Sequence, residues 1–167
     1  GTEGDTAETE DRARRFVAAR VNGQLTELWK TVRTDAEVEF ITAGDRDGRR
    51  IYERGLLFVL VKSVNDLYSR EEVEGLAVEC AVGDGIFCTI RGARVVDDAF
   101  AAKVKARMQE LIRMDIRFEK HSVSTAEAVR RFEEQHFTDK VDLFRYRLVS
   151  NTNIYKLGNL YDYFYGY

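Results

Sequence analysis

The chain has 167 residues, 44% of them apolar and 33% charged, with a net charge of −3 and an isoelectric point near 5.6. These values describe enough apolar material for a folded core inside a well-solvated surface, and they exclude a global basic field drawing the chain to nucleic acid or anionic lipid. The longest apolar run, 56–61, is far too short to span a bilayer, and residues 1–15 carry no apolar leader segment.

Two cysteines in a chain of this length do not make a disulfide framework, so a cytoplasmic location with reduced thiols is expected. Proline is absent, which leaves Gly, Asn and Asp to mark the turns. Residues 1–15 are expected to form a polar tail, part of it a remnant of cloning, with 11–15 as a short charged helix.

Residues 16–21 read as a strand, and Asn22-Gly23 follows as a hairpin turn, because both residues tolerate positive φ. The return strand is expected at 24–29. Residues 36–42 alternate, with Val38 and Phe40 on one face and Glu37 and Glu39 on the other, the pattern of a half-buried strand. Residues 44–48 form a turn, and a lobe boundary is placed near residue 46. In 49–68 the positions Ile51, Leu56, Leu57, Leu60, Val61, Val64, Leu67 and Tyr68 describe one wide apolar helix face.

A β-hairpin is expected next. Leu76, Val78, Cys80 and Val82 share a face, Ile86, Cys88 and Ile90 answer from the second strand, and Gly83-Asp84-Gly85 connects them. This register sets Cys80 opposite Cys88, as a disulfide, as a two-ligand metal site, or as two small apolar core residues; free cysteine is among the most buried residue types, which favours the last. Asp97 or Asp98 caps a helix to about 114, with Phe100, Val104, Met108, Leu111 and Ile112 inward. Residues 116–123 are extended. Ser124-Thr125-Ala126-Glu127 is a capping box that opens a helix bearing Val129 and Phe132 on its apolar side. Strands at 154–157 and 160–164 close the chain. Antiparallel strands with helices laid against them make an α+β fold.

The sequence carries no phosphate-binding glycine loop, no His or Cys pair at metal-ligand spacing and no local motif that places a nucleophile beside a base. His121, in a strand, and His136, near a helix end, read as ordinary half-exposed histidines. The aromatic cluster in 155–167 would suit stacking on bases or packing as a core strand.

Taken together, V-N-G at 21–23, D-A-E-V-E-F-I at 35–41, the Gly48–Ile51 turn, the long helix, the hairpin at 76–90, F-E-K-H-S-V-S-T-A-E-A-V-R-R-F-E-E-Q at 118–135 and Asp139-Lys140-Val141 resemble two amino-terminal domains of threonyl-tRNA synthetase. These are the TGS domain, a small β-grasp unit, and the second additional domain, which edits mischarged tRNA. The resemblance implies a truncated TGS-like β-grasp lobe at 16–46 and an editing-domain-like lobe at 47–167. The ending N-I-Y-K-L-G-N-L-Y-D-Y-F-Y-G-Y at 153–167 further resembles the amino-terminal region of bacterial nucleoside (uridine) kinases. That resemblance implies a P-loop kinase domain carboxy-terminal to this chain, with ATP and magnesium as that domain's cofactors and no cofactor in this one.

By the same resemblance, Arg54 and Phe58 stand where the editing helix of the synthetase begins with two histidines four apart. Phe164 stands at its later cysteine, and the partnering histidine falls just beyond Tyr167. Lys140 and Asp162 keep two polar positions of the editing pocket. Phenylalanine can neither ligate a metal nor relay a proton, so no catalytic and no metal-binding residue is assigned. The resemblance implies Arg54, Phe58, Lys140, Asp162 and Phe164 as the candidate residues of a reshaped ligand-binding pocket. Three roles follow as expectations: a regulatory or ligand-binding module of a nucleoside kinase, taking a nucleotide or an RNA end; a tRNA-binding or trans-editing deacylase module; or a structural module, as a homo-oligomer or in support of the kinase domain.

Overall fold

The computed structural model describes residues 16–83, 85–147 and 149–163. Its elements are β1 (Phe16–Val21), β2 (Gln24–Thr26), β3 (Val38–Thr42), α1 (Arg46–Leu67), β4 (Gly75–Val82), β5 (Gly85–Arg91), α2 (Asp98–Arg113), β6 (Phe118–Ser124), α3 (Thr125–Glu134), α4 (Thr138–Arg145), β7 (Asn151–Leu157) and β8 (Leu160–Asp162). The strands form three antiparallel sheets, ordered β2-β1-β3, β4-β5 and β6-β7-β8, so the fold is α+β as expected. No helix among the described residues is long and apolar enough to cross a membrane. The described residues divide into two compact units, 16–56 and 57–163, and the division falls within α1.

In the first unit the Asn-Gly turn forms as expected, with Asn22 at φ 49° and Gly23 at φ 79°, the two positive values a tight hairpin requires. Three expectations are corrected. The return strand stops at Thr26, because the chain turns where the Lys30 amide donates to the Glu27 carbonyl. The third strand begins at Val38 rather than Ala36, because Glu37 is held by Asn22, whose side-chain oxygen accepts from the Glu37 amide at 2.9 Å. Val38 and Phe40, the apolar face expected of a half-buried strand, are instead exposed, and Ile41, which follows Phe40, is the buried residue of β3, set opposite Ala18 by a bulge in β1. The first turn of α1 lies directly on β3: a Cβ on Gly48 would stand 1.8 Å from the Thr42 carbonyl oxygen.

The second unit holds the main core, where Phe58, Leu111, Ala128, Phe132, Phe144, Ile154 and Leu157 pack together. A smaller cluster joins Val64, Val73, Phe100 and Val104. The helix expected at 49–68 forms as α1. Asp97 caps α2, accepting from the Phe100 amide at 2.8 Å. Ile112, expected inward, is exposed, since it lies off the stripe carrying Phe100, Val104 and Leu111. Ser124 caps α3 through the Glu127 amide, but Glu127 does not complete the box; its carboxylate binds Arg130 and Arg131 instead. Those two guanidinium groups hold it down to about 2. Helix α4 was not foreseen from the sequence.

The β4–β5 register also differs from expectation. A bulge between Val78 and Cys80 pairs Val78 with Cys88 and Cys80 with Phe87. One extra residue moves every later side chain to the opposite face. The two thiols are therefore neither opposite nor bonded: Cys80 is exposed and Cys88 half-buried, both free. Gly85 already pairs with Val82 and belongs to the strand rather than the connection, while Asp84 lies outside the described residues.

Candidate functional site

A cavity of about 310 Å³ lies within the second unit. The apolar face of α1 forms one wall with Leu57, Val61 and Val64, and carries Asn65 at its end. The turn after α1 supplies Arg70, Val73 and Glu74, and the start of β4 closes another side. The amino-terminal turn of α4 brings Thr138, Asp139 and Lys140, and β8 brings Asp162.

Lys140 and Asp162 meet here, with Nζ 3.3 Å from Oδ1. Asp162 is only 4% exposed. Burial pushes its carboxyl above the usual range, while the Lys140 ammonium and the Tyr163 amide, which donates to Oδ1 at 2.7 Å, pull it back. Lys140 reaches this place because His136, after the end of α3, takes the left-handed conformation at φ 58°, and α4 starts at once. That is a common way to end one helix and turn into the next.

Arg70 forms a second polar anchor. Its two terminal nitrogens donate to the Glu74 carbonyl at 3.1 Å and the Gln135 carbonyl at 3.0 Å, and its guanidinium lies 4.6 Å over the Phe137 ring. Arg91 lies over Gly75: a Cβ there would meet its Nη2 at 3.2 Å, so a side chain at 75 would crowd the cavity rim. The wall thus carries Arg70, Arg91 and Lys140 against Glu74, Asp139 and Asp162. Such a balance suits a ligand bearing both signs of charge, or a polar ester with a neighbouring ammonium, better than a polyanion. The ammonium can donate to a carbonyl oxygen and the buried carboxylate can accept from an ammonium or a water. Among the described residues no group of three or more His, Cys, Asp or Glu stands ready for a metal ion.

The five residues singled out from sequence divide as follows. Lys140 and Asp162, distant in the chain, share the cavity wall. Phe58 is 2% exposed and belongs to the core, its ring 5.8 Å from that of Phe118; Leu57 and Val61 of the same helix line the cavity in its place. Arg54 lies one turn earlier on α1, and its Nη1 is buried without a hydrogen-bond partner among the described residues. Phe164 lies outside the described residues. His121 stands on the outer strand β6, with Nε2 3.2 Å from a Glu119 carboxylate oxygen. Asn65, Arg70, Glu74 and Arg91 were missed. Asn65 alone left a trace, as a polar residue continuing an apolar helical stripe.

No model of a known protein family matches the chain. It is similar to threonine–tRNA ligases over most of its length. The ligase of Desulforamulus reducens is 28% identical over 131 residues, covering 78% of this chain and 20% of the relative. That of Syntrophotalea carbinolica is 29% identical over 156 residues, covering 90% and 23%. That of Thermotoga maritima is 24% identical over 151 residues, covering 89% and 23%. The chain therefore spans between a fifth and a quarter of the length of these relatives. The nucleoside-kinase expectation finds no support in them; the tRNA-ligase side of the resemblance does.

Proposed function

We propose that this chain is a tRNA-binding module of the editing-domain kind, which holds the aminoacylated end of a tRNA in the cavity at Lys140 and Asp162 and does not hydrolyse it at a useful rate. The observation that carries the proposal is the meeting of Lys140 and Asp162 at 3.3 Å on a cavity wall. They are the two positions at which the resemblance retains polar pocket residues. The similarity to threonine–tRNA ligases over most of the chain supports the same side of it.

The chemistry follows from the groups present. The Lys140 ammonium is placed to donate to the ester carbonyl of an aminoacyl group. Asp162, Asp139 and Glu74 offer acceptors for the free α-ammonium. Hydrolysis needs in addition a base within reach of a water. Phe58, standing at a histidine position of the synthetase, is packed into the core and offers no such group.

The test uses an RNA hairpin of an acceptor stem carrying an amide-linked seryl or threonyl group at its 3′ end, with the uncharged hairpin as reference. The charged hairpin is expected to bind about tenfold more tightly, a difference of about 1.4 kcal/mol, and Lys140→Ala should abolish the preference. Seryl-tRNA incubated with the chain should lose its amino acid no faster than in buffer. Equal affinity for charged and uncharged hairpins would overturn the proposal, and rapid deacylation would overturn its non-hydrolytic part.

A further inference from the structure

Asp162 lies on β8, a three-residue strand at the outer edge of its sheet. Such a strand pairs with β7 on one side only, and an unpaired edge is free to fray. Residue 161 pairs with Lys156, yet its own amide and carbonyl point away from β7, toward Gln135. The Gln135 side-chain oxygen accepts from the Tyr161 amide at 2.6 Å, and its side-chain NH2 donates to the Tyr161 carbonyl at 2.8 Å. One glutamine thus supplies both bonds a further strand would have made.

Gln135 is itself held. It caps the carboxy end of α3, its amide donating to the Arg131 carbonyl, and its carbonyl accepts from Arg70 at 3.0 Å. The Tyr161 ring is also held by the Arg131 guanidinium of the same helix, 4.5 Å over it, and lies edge-on to His121. Adjacent strand residues point to opposite faces, so fixing Tyr161 also fixes the direction of the Asp162 carboxyl.

We infer that Gln135 is a positioning residue: its paired bonds to the Tyr161 backbone hold β8 so that Asp162 stays buried against Lys140 in the cavity. Gln135 does not line the cavity and acts through its neighbour, while Arg70, which does line it, donates to the carbonyl of the same glutamine. The inference rests on the cavity being the binding site only in its last consequence, ligand affinity.

The experiment uses the full chain. In the unaltered protein the Tyr161 amide should be protected from hydrogen exchange; fast exchange there would overturn the clamp without any variant. Gln135→Met keeps length and volume and removes both bonds. In the folded variant, checked by amide dispersion, Tyr161 exchange should rise about tenfold or more. The Asp162 carboxyl carbon resonance should titrate closer to an ordinary aspartate, since water then reaches it, with Lys140, Asp139 and the Tyr163 amide unchanged beside it. Gln135→Glu keeps the acceptor for the Tyr161 amide but replaces the donor to the Tyr161 carbonyl with a second acceptor, so Tyr161 exchange should fall between that of the unaltered chain and that of Gln135→Met. A folded Gln135→Met with unaltered Tyr161 exchange and Asp162 titration refutes the inference. If the unaltered chain fails to prefer the aminoacylated hairpin while these signatures behave as expected, the proposed function falls and the clamp stands. If the hairpin binds, Gln135→Met should weaken it about tenfold.

Discussion

Phe58→His restores, at one position, the residue type that the resemblance assigns to the editing helix, and its outcome is set by packing. Phe58 is 2% exposed and surrounded by the main core, with Phe118 against its ring. Deleting such a ring outright costs about 3–5 kcal/mol. Imidazole keeps part of the volume, but it brings two ring nitrogens into an apolar setting, and each one left without a partner costs about 1–3 kcal/mol. The expected loss is therefore about 3–5 kcal/mol, a large part of the total stability of an ordinary domain. With a urea dependence of about 2 kcal/mol per molar, the unfolding midpoint should fall by on the order of 2 M in circular dichroism. The loss should deepen below about pH 6.5, because burial holds the imidazole neutral in the folded chain while the unfolded chain takes up a proton. Phe58→Leu, an apolar replacement, should cost only about 1 kcal/mol. A Phe58→His protein within about 1 kcal/mol of the parent would show that this part of α1 faces open space. The claim that Phe58 belongs to the core would then fail.

Three further outcomes follow from single residues. Burial raises the Asp162 carboxyl, so the folded chain binds that proton more tightly than the unfolded one. Its contribution to stability is full below the unfolded carboxyl range and is lost as pH rises through the folded midpoint. Asp162→Asn should flatten that part of the stability profile and, at neutral pH, change stability by no more than about 1 kcal/mol, since it removes the desolvation of a buried carboxylate and leaves Lys140, partly exposed, with water as its partner; urea titrations from pH 4 to 7 read both. Gly48→Ala should destabilise the first unit by at least about 2 kcal/mol, because its Cβ would overlap the Thr42 carbonyl oxygen and the backbone must shift; thermal melting with the α1–β3 amides followed by exchange locates the damage. Ser124→Ala removes the acceptor of the Glu127 amide at the start of α3 and should cost about 1 kcal/mol, measurable as a small fall in melting temperature.

Much of this fold was legible from local chemistry. The Asn-Gly turn needs two residues at positive φ and found them at 22 and 23. The apolar stripe of α1, the Asp97 cap and the Ser124 cap each depend on residues within a turn or two of each other. The sequence alone could also name Lys140 and Asp162, by resemblance. It could not place Phe58, because whether a helical residue faces a cavity or a core depends on what packs against it. Helix α4 escaped because its cap position, Phe137, makes no side-chain cap bond and gives no start signal. The bulge at β4 escaped because nothing in the alternation of 76–82 marks one extra residue, yet that residue separated the two cysteines. The cavity belongs to tertiary structure altogether. Arg70 and Gln135 are 65 positions apart and Gln135 and Tyr161 are 26, and such bonds arise only after the helices and the third sheet have closed on one another. Sequence determined which short segments would be helix, turn or strand; the long-range packing decided which of their side chains became wall, core or clamp.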